Sequence, residues 1–150
     1  MATQSGLYAL MFVAGCAVPT MAAINASLGA RLGSATLAVF VLCGVATLLA
    51  GLALLITTQR ASGWTDVPLW QWTGGALFLV YIFSATYAVP HIGLGNAIFL
   101  VLLGQLMTAA VIDHFGLLGA PVAPLSARRA LGLVVMGVGC LLYTSDAADE

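Results

Sequence analysis

The side chains that could do chemistry in this chain are few, and the most telling of them stand where water is scarce. Gln105 lies inside "GNAIFLVLLGQLMTAAVIDHFG", Gly95 to Gly116, with Gly104 beside it and Asn96 near the start of the same run. An uncharged amide among apolar residues can bond a neighbouring helix for about 0.6 to 2 kcal/mol, or it can bond a polar solute. Asn96 and Gln105 are separated by about 900° around a helix, so they face opposite ways and cannot both line one narrow groove. Gln105 is the deeper of the two and the first candidate for solute contact, and Gly104 lets a helix or ligand approach its backbone closely. At the end of the run, Asp113 with His114 would form a proton relay if buried. As a solvated helix end, Asp113 would instead pair with Arg128 or Arg129.

Two earlier stretches add candidates. Pro19 removes a backbone hydrogen bond and frees the carbonyl near Gly15, which makes a kink or a local opening. Thr20 and Asn25 come after it, so this half of the first apolar segment could line a cavity, or Asn25 could simply end the segment at the interface. In the third segment Tyr81, Ser84 and Ala88 share one face by i+3 and i+4 steps, a hydroxyl-bearing stripe that suits either a pathway or a plain core.

Covalent chemistry finds no support. GxSxG, HExxH and a phosphate-cradling glycine loop are all missing, which argues against an enzyme. His91 and His114 fall at opposite ends of one segment, about 30 Å apart, too far to share a metal or a proton. Cys16, Cys43 and Cys140 lack the short spacing of metal or redox pairs and are expected to be small packing residues. No metal and no cofactor is implied.

The elements that must position these groups are set by composition. Of 150 residues, 62% are hydrophobic and 6% charged, the net charge is -1, and mean hydropathy is +1.11. So few charges cannot cover a water-soluble domain, and no basic surface offers itself to nucleic acid. A bilayer core needs roughly 20 apolar residues of helix. Uncharged runs cover Gly6 to Ile24, Ser34 to Thr57, Leu69 to Val89 and Ile92 to Ile112, with a shorter fifth from Ala130 to Tyr143. The breaks "NASLGARLG", "QRASGWTDVP", "PHIG" and "HFGLLGAPVAPLSARR" read as turns, so consecutive helices are antiparallel neighbours.

The expectation is an all-α membrane protein, a bundle of five transmembrane helices with the fifth truncated. It forms a single domain over 1–139, with spans near 6–24, 34–57, 69–89, 92–112 and 127–143. The string "CLLYTSDAADE" resembles translated sequencing-adapter read-through, so 140–150 is read as a non-native or truncated tail. Arg60, Arg128 and Arg129 outnumber Arg31 across the bilayer, which puts the N-terminus in the cytoplasm, and Trp64, Trp70 and Trp72 anchor the entrance to the third span. Small residues supply packing stripes: Ala22, Ala26 and Ala30; Gly44, Thr47 and Gly51; Gly132 and Gly139. Each serves contacts within one bundle or between chains.

"PTMAAINASLGARLGS" (Pro19 to Ser34), "GNAIFLVLLGQLMTAAVIDHFGLLG" (Gly95 to Gly119) and "LSARRALGLVVMGVG" (Leu125 to Gly139) together resemble the small YdcZ-like branch of the drug/metabolite transporter superfamily. That resemblance implies a five-span protein of the bacterial inner membrane, half of a ten-span architecture, acting as a homodimer or as a heteropair with a related five-span chain. It also implies transport of a small organic solute by alternating access. By matched position it marks Asn25, Gln105, Asp113 and His114, while Met21 stands where many relatives carry Gln. Solute contacts would come from Asn25, Gln105, Tyr81, Ser84 and Asn96, and gating or hinge roles from Pro19, Gly104, Asp113 and His114. The rival reading is a non-transporting membrane subunit whose amides and glycines hold helices together.

Overall fold

The computed structural model describes residues 4–57 and 66–146. They are all-helical, with five α-helices: α1 (Gln4–Leu32), α2 (Ala35–Ile56), α3 (Gly74–Ile92), α4 (Leu94–Phe115) and α5 (Ala127–Asp146). Short 3₁₀ segments cover Leu69–Thr73 and Leu117–Gly119. Three whole helices, α1, α2 and α4, and the stretch Leu69–Ile92 are long and apolar enough to cross a membrane. α5, with Arg128 and Arg129 in its first turn and Asp146 at its end, is not among them. Large apolar side chains such as Phe12, Phe40 and Leu55 stand exposed along the helices, a surface suited to lipid rather than water.

Helix ends obey local chemistry. Ser34 caps α2, its hydroxyl accepting the Leu37 N–H at 3.2 Å. α1 closes in a Schellman turn: Gly33 takes φ +65°, and the Ser34 N–H donates to the Gly29 carbonyl at 3.0 Å. Pro68 sets extended backbone before the 3₁₀ segment, where the Thr73 hydroxyl donates to the Trp70 carbonyl at 2.7 Å. Ser126 accepts the Arg129 N–H at 3.3 Å to start α5.

Several boundaries differ from the expected ones. "NASLGARLG" is not a turn as far as Leu32, because α1 runs through it. Three of its polar and small residues, Asn25, Ala26 and Gly29, are buried, so the segment gains packing by staying helical. Ala30, placed in the expected stripe, is exposed, and Gly29 takes its position in the buried face. α3 likewise continues through Pro90 to Ile92, α4 runs to Phe115, and the start of the third span is 3₁₀ rather than α. Arg60, Trp64 and the last four residues, 147–150, lie outside the described residues.

The chain divides into two compact units, 1–91 and 92–150. In the first, α1 packs on α2 around Ala22, Ala26, Ala38 and Val39, and a side chain at Gly29 would meet Ala35 and Ala38. In the second, α4 packs on α5. There Cys140 is buried with its thiol 3.7 Å from the Phe99 carbonyl, and the Tyr143 ring lies against Phe99 and Gly95. Cys16, by contrast, is exposed and Cys43 half-buried, because on a lipid-facing helix a small apolar residue need not be inside. A methyl on Gly44, Gly51, Gly132 or Gly139 would touch nothing within 4 Å, so those stripes are not closed by contacts within the described chain.

Candidate functional site

In the first unit a polar contact joins α1 to α3. The Asn25 amide donates from Nδ2 to the Thr86 hydroxyl at 2.6 Å, and the Thr86 O–H in turn donates to the Ile82 carbonyl at 2.7 Å. Asn25 is 2% exposed and Thr86 3%, so the bond is dry. The approach is close because a Cβ on Gly29 would lie 3.4 Å from the Thr86 methyl. Asn25 is therefore used between helices, and Thr86, which the sequence did not single out, is its partner. The signal was available: Ile82, Ala85, Thr86 and Val89 repeat the spacing of the buried face of α1, about 100° round the helix from the hydroxyl stripe.

The other candidates in this unit are less engaged with neighbours. Ser84 is exposed and donates to the Val80 carbonyl of its own helix at 2.7 Å. Tyr81 is half-buried, and its hydroxyl oxygen, shielded from solvent, has no hydrogen-bond partner among the described residues. α1 continues through Pro19, where the Thr20 hydroxyl donates to the Cys16 carbonyl at 3.0 Å.

In the second unit Gln105 sits midway along α4, exposed, with no hydrogen bond to any described residue, and Gly104 beside it is open. Asn96 turns its Nδ2 back to the Ile92 carbonyl at 3.0 Å, and its Oδ1 is buried with no hydrogen-bond partner among the described residues. Such an atom costs about 1 to 3 kcal/mol unless water or another molecule satisfies it.

The far end of α4 is tied to the loop beyond it. Gly116, at φ +62°, ends the helix, and the chain doubles back so that the Ala123 N–H donates to the Asp113 carbonyl at 2.8 Å. The Leu125 N–H donates to His114 Nδ1 at 3.0 Å, which requires that nitrogen to be unprotonated and puts the ring proton on Nε2. Asp113 pairs with Arg129 at 3.8 Å, with side chains 36% and 57% exposed, so the pair is a loose and wet one. This is the solvated-end arrangement rather than a buried relay. A groove of about 540 Å³ opens here, lined by Met107, Thr108, Val111, His114, Phe115 and Leu125. A second, of about 210 Å³, lies between α4 and α5 beside Asp113 and Arg129. Thr108, one helical turn beyond Gln105, is another lining residue the sequence did not mark.

These groups can recognise a molecule through amides, hydroxyls, one ion pair and apolar walls. Among the described residues no three His, Cys, Asp or Glu side chains come together as a metal site. Residues 6–142 match the protein family described as "Putative inner membrane exporter, YdcZ". The chain belongs to the YdcZ family. It is thus a multi-pass membrane protein of an exporter family, and the match takes in Cys140 to Leu142 at the end of α5. No curated protein and no solved structure matches the chain.

Proposed function

We propose that this YdcZ-family protein exports a small organic solute across the bacterial inner membrane by alternating access, as a homodimer or as a heteropair with a related chain, with its N-terminus in the cytoplasm. The observation that carries the reading is Gln105: an amide uncovered halfway along a membrane helix, with no partner among the described residues. Hydrocarbon does not satisfy an amide, so its working partner is a solute, water in a pathway, or a second chain. The unpartnered Tyr81 hydroxyl and Asn96 Oδ1 support the same reading, and Ser84 offers an exposed oxygen. Pro19 and Gly104 supply places where helices can bend or slide, and Asp113 with His114 gates the end of α4. The protein needs no cofactor for this work.

A packing role is the second reading, and the Asn25–Thr86 bond favours it for Asn25. The two are separated by screening purified protein for thermal shift against metabolites and cationic drugs. A ligand at 100 times its dissociation constant adds about 2.7 kcal/mol. A stabilising compound is then tracked in cells, where Gln105→Leu is expected to lower its efflux about tenfold, the equivalent of one hydrogen bond. Full efflux by Gln105→Leu would remove Gln105 from the pathway, and no shift with any compound would leave the packing subunit.

A further inference from the structure

α1 and α3 bury their residues in the same pattern. The buried residues of α1 are Ala22, Asn25, Ala26 and Gly29; those of α3 are Ile82, Ala85, Thr86 and Val89, each 60 positions further along. Between 21–30 and 81–90 every position agrees in being buried, half-buried or exposed. One buried helix face always gives such spacing, so this alone is weak. The helix ends and the helices after them make it strong. α1 ends at Leu32 and Gly33 takes φ +65°; α3 ends at Ile92 and Gly93 takes φ +80°. α2 then starts after one further residue and α4 starts at once, and both helices are 22 residues long. With that one-residue difference, Ala38 corresponds to Ala97, Phe40 corresponds to Phe99, and both alanines are buried.

The α1/α3 contact also has the form a repeat requires. When two like helices running the same way meet on a two-fold axis, each contact has a mirror. The mirror of Asn25 with Thr86 is Ala26 with Ala85; the mirror of Gly29 with Thr86 is Ala26 with Val89. All three of these mirror residues are buried. We infer that α1 and α3, each with the glycine that ends it, are two copies of one helical unit that cross on a local two-fold axis, with Asn25 a positioning residue that makes one of two equivalent contacts polar. α5 has no counterpart in the repeat. The inference stands apart from the identity of any solute, since it concerns how the crossing is built.

A true repeat lets the hydrogen bond be moved. Asn25→Ala with Thr86→Ala removes it, and the melting temperature of this double variant in detergent falls below wild type. Adding Ala26→Thr and Ala85→Asn rebuilds it at the mirror position, where the new threonine can donate to the Ala22 carbonyl as Thr86 does to that of Ile82. The fourfold variant is expected to recover more than half of the lost melting temperature. A fourfold variant that melts at or below the double variant overturns the repeat, provided the mirror pair is also apart by cross-linking. In a background with Cys16, Cys43 and Cys140 replaced by Ala, Ala26→Cys with Ala85→Cys should lose its free thiols on oxidation as fully as Asn25→Cys with Thr86→Cys. Equal cross-linking sustains the repeat even where crowding spoils the fourfold variant; linking confined to Asn25 and Thr86 overturns it. Where neither pair links, the melting result decides.

Discussion

Two amides in this protein show opposite ways of keeping a polar group in a membrane helix. Asn25 is enclosed at the α1/α3 crossing and spends its N–H on Thr86. Gln105 is exposed in the middle of α4 beside an open glycine. The enclosed amide holds helices, and its energy is already used inside the chain. The exposed one has no hydrogen-bond partner among the described residues. Both are uncharged amides on membrane helices, so surroundings decide between fastener and site.

Substitutions can break or sharpen that contrast. The largest expected effect is at Gly29, where a leucine would press on Ala35, Ala38 and Thr86. Gly29→Leu should destabilise the protein by about 1 to 3 kcal/mol, read as a lower melting temperature in detergent, because overpacking strains both contacts at once. Thr86→Val keeps the shape but removes the acceptor from Asn25; a loss of about 0.6 to 1.7 kcal/mol is expected, the range for hydrogen bonds between membrane helices. A silent Thr86→Val in the same melting assay would make the enclosed amide no fastener at all. Asp113→Asn should have the smallest effect, about 0 to 1 kcal/mol, since its partner Arg129 is loosely held and largely exposed. A much larger loss there would mean that the pair is buried in the working assembly.

Apolar length and Gly or Pro punctuation made the membrane helices legible, because lipid leaves a backbone little choice. α2 came out within a residue at each end, and the structure adds that Ser34 caps it. α1 did not. Asn25, Ser27, Gly29 and Arg31 have the composition of a turn, and only the neighbouring α2 and α3 make Asn25 and Gly29 part of a packing surface, which one helix read alone does not reveal. Thr86 was missed for the same reason: the hydroxyls of Tyr81 and Ser84 stand out in the sequence, while the buried face was the other one. Cys140 and Tyr143, expected to belong to a non-native tail, pack on Phe99 and Gly95 at the start of α4. Gln105 was legible as an oddity from its neighbours, but its exposure was not, since a sequence gives the period of a helix and not which side a second helix covers.

The most direct test of the contrast compares thiol access at the two amides. With the native cysteines replaced, Gln105→Cys and Asn25→Cys proteins are treated in membranes with a small polar thiol reagent, with and without a compound that stabilises the wild-type protein. Position 105 is expected to react and to be protected by the compound, while position 25 stays unreacted under both conditions. An unreactive position 105 beside a reactive, protected position 25 would contradict the contrast, and would place the solute at the α1/α3 crossing instead.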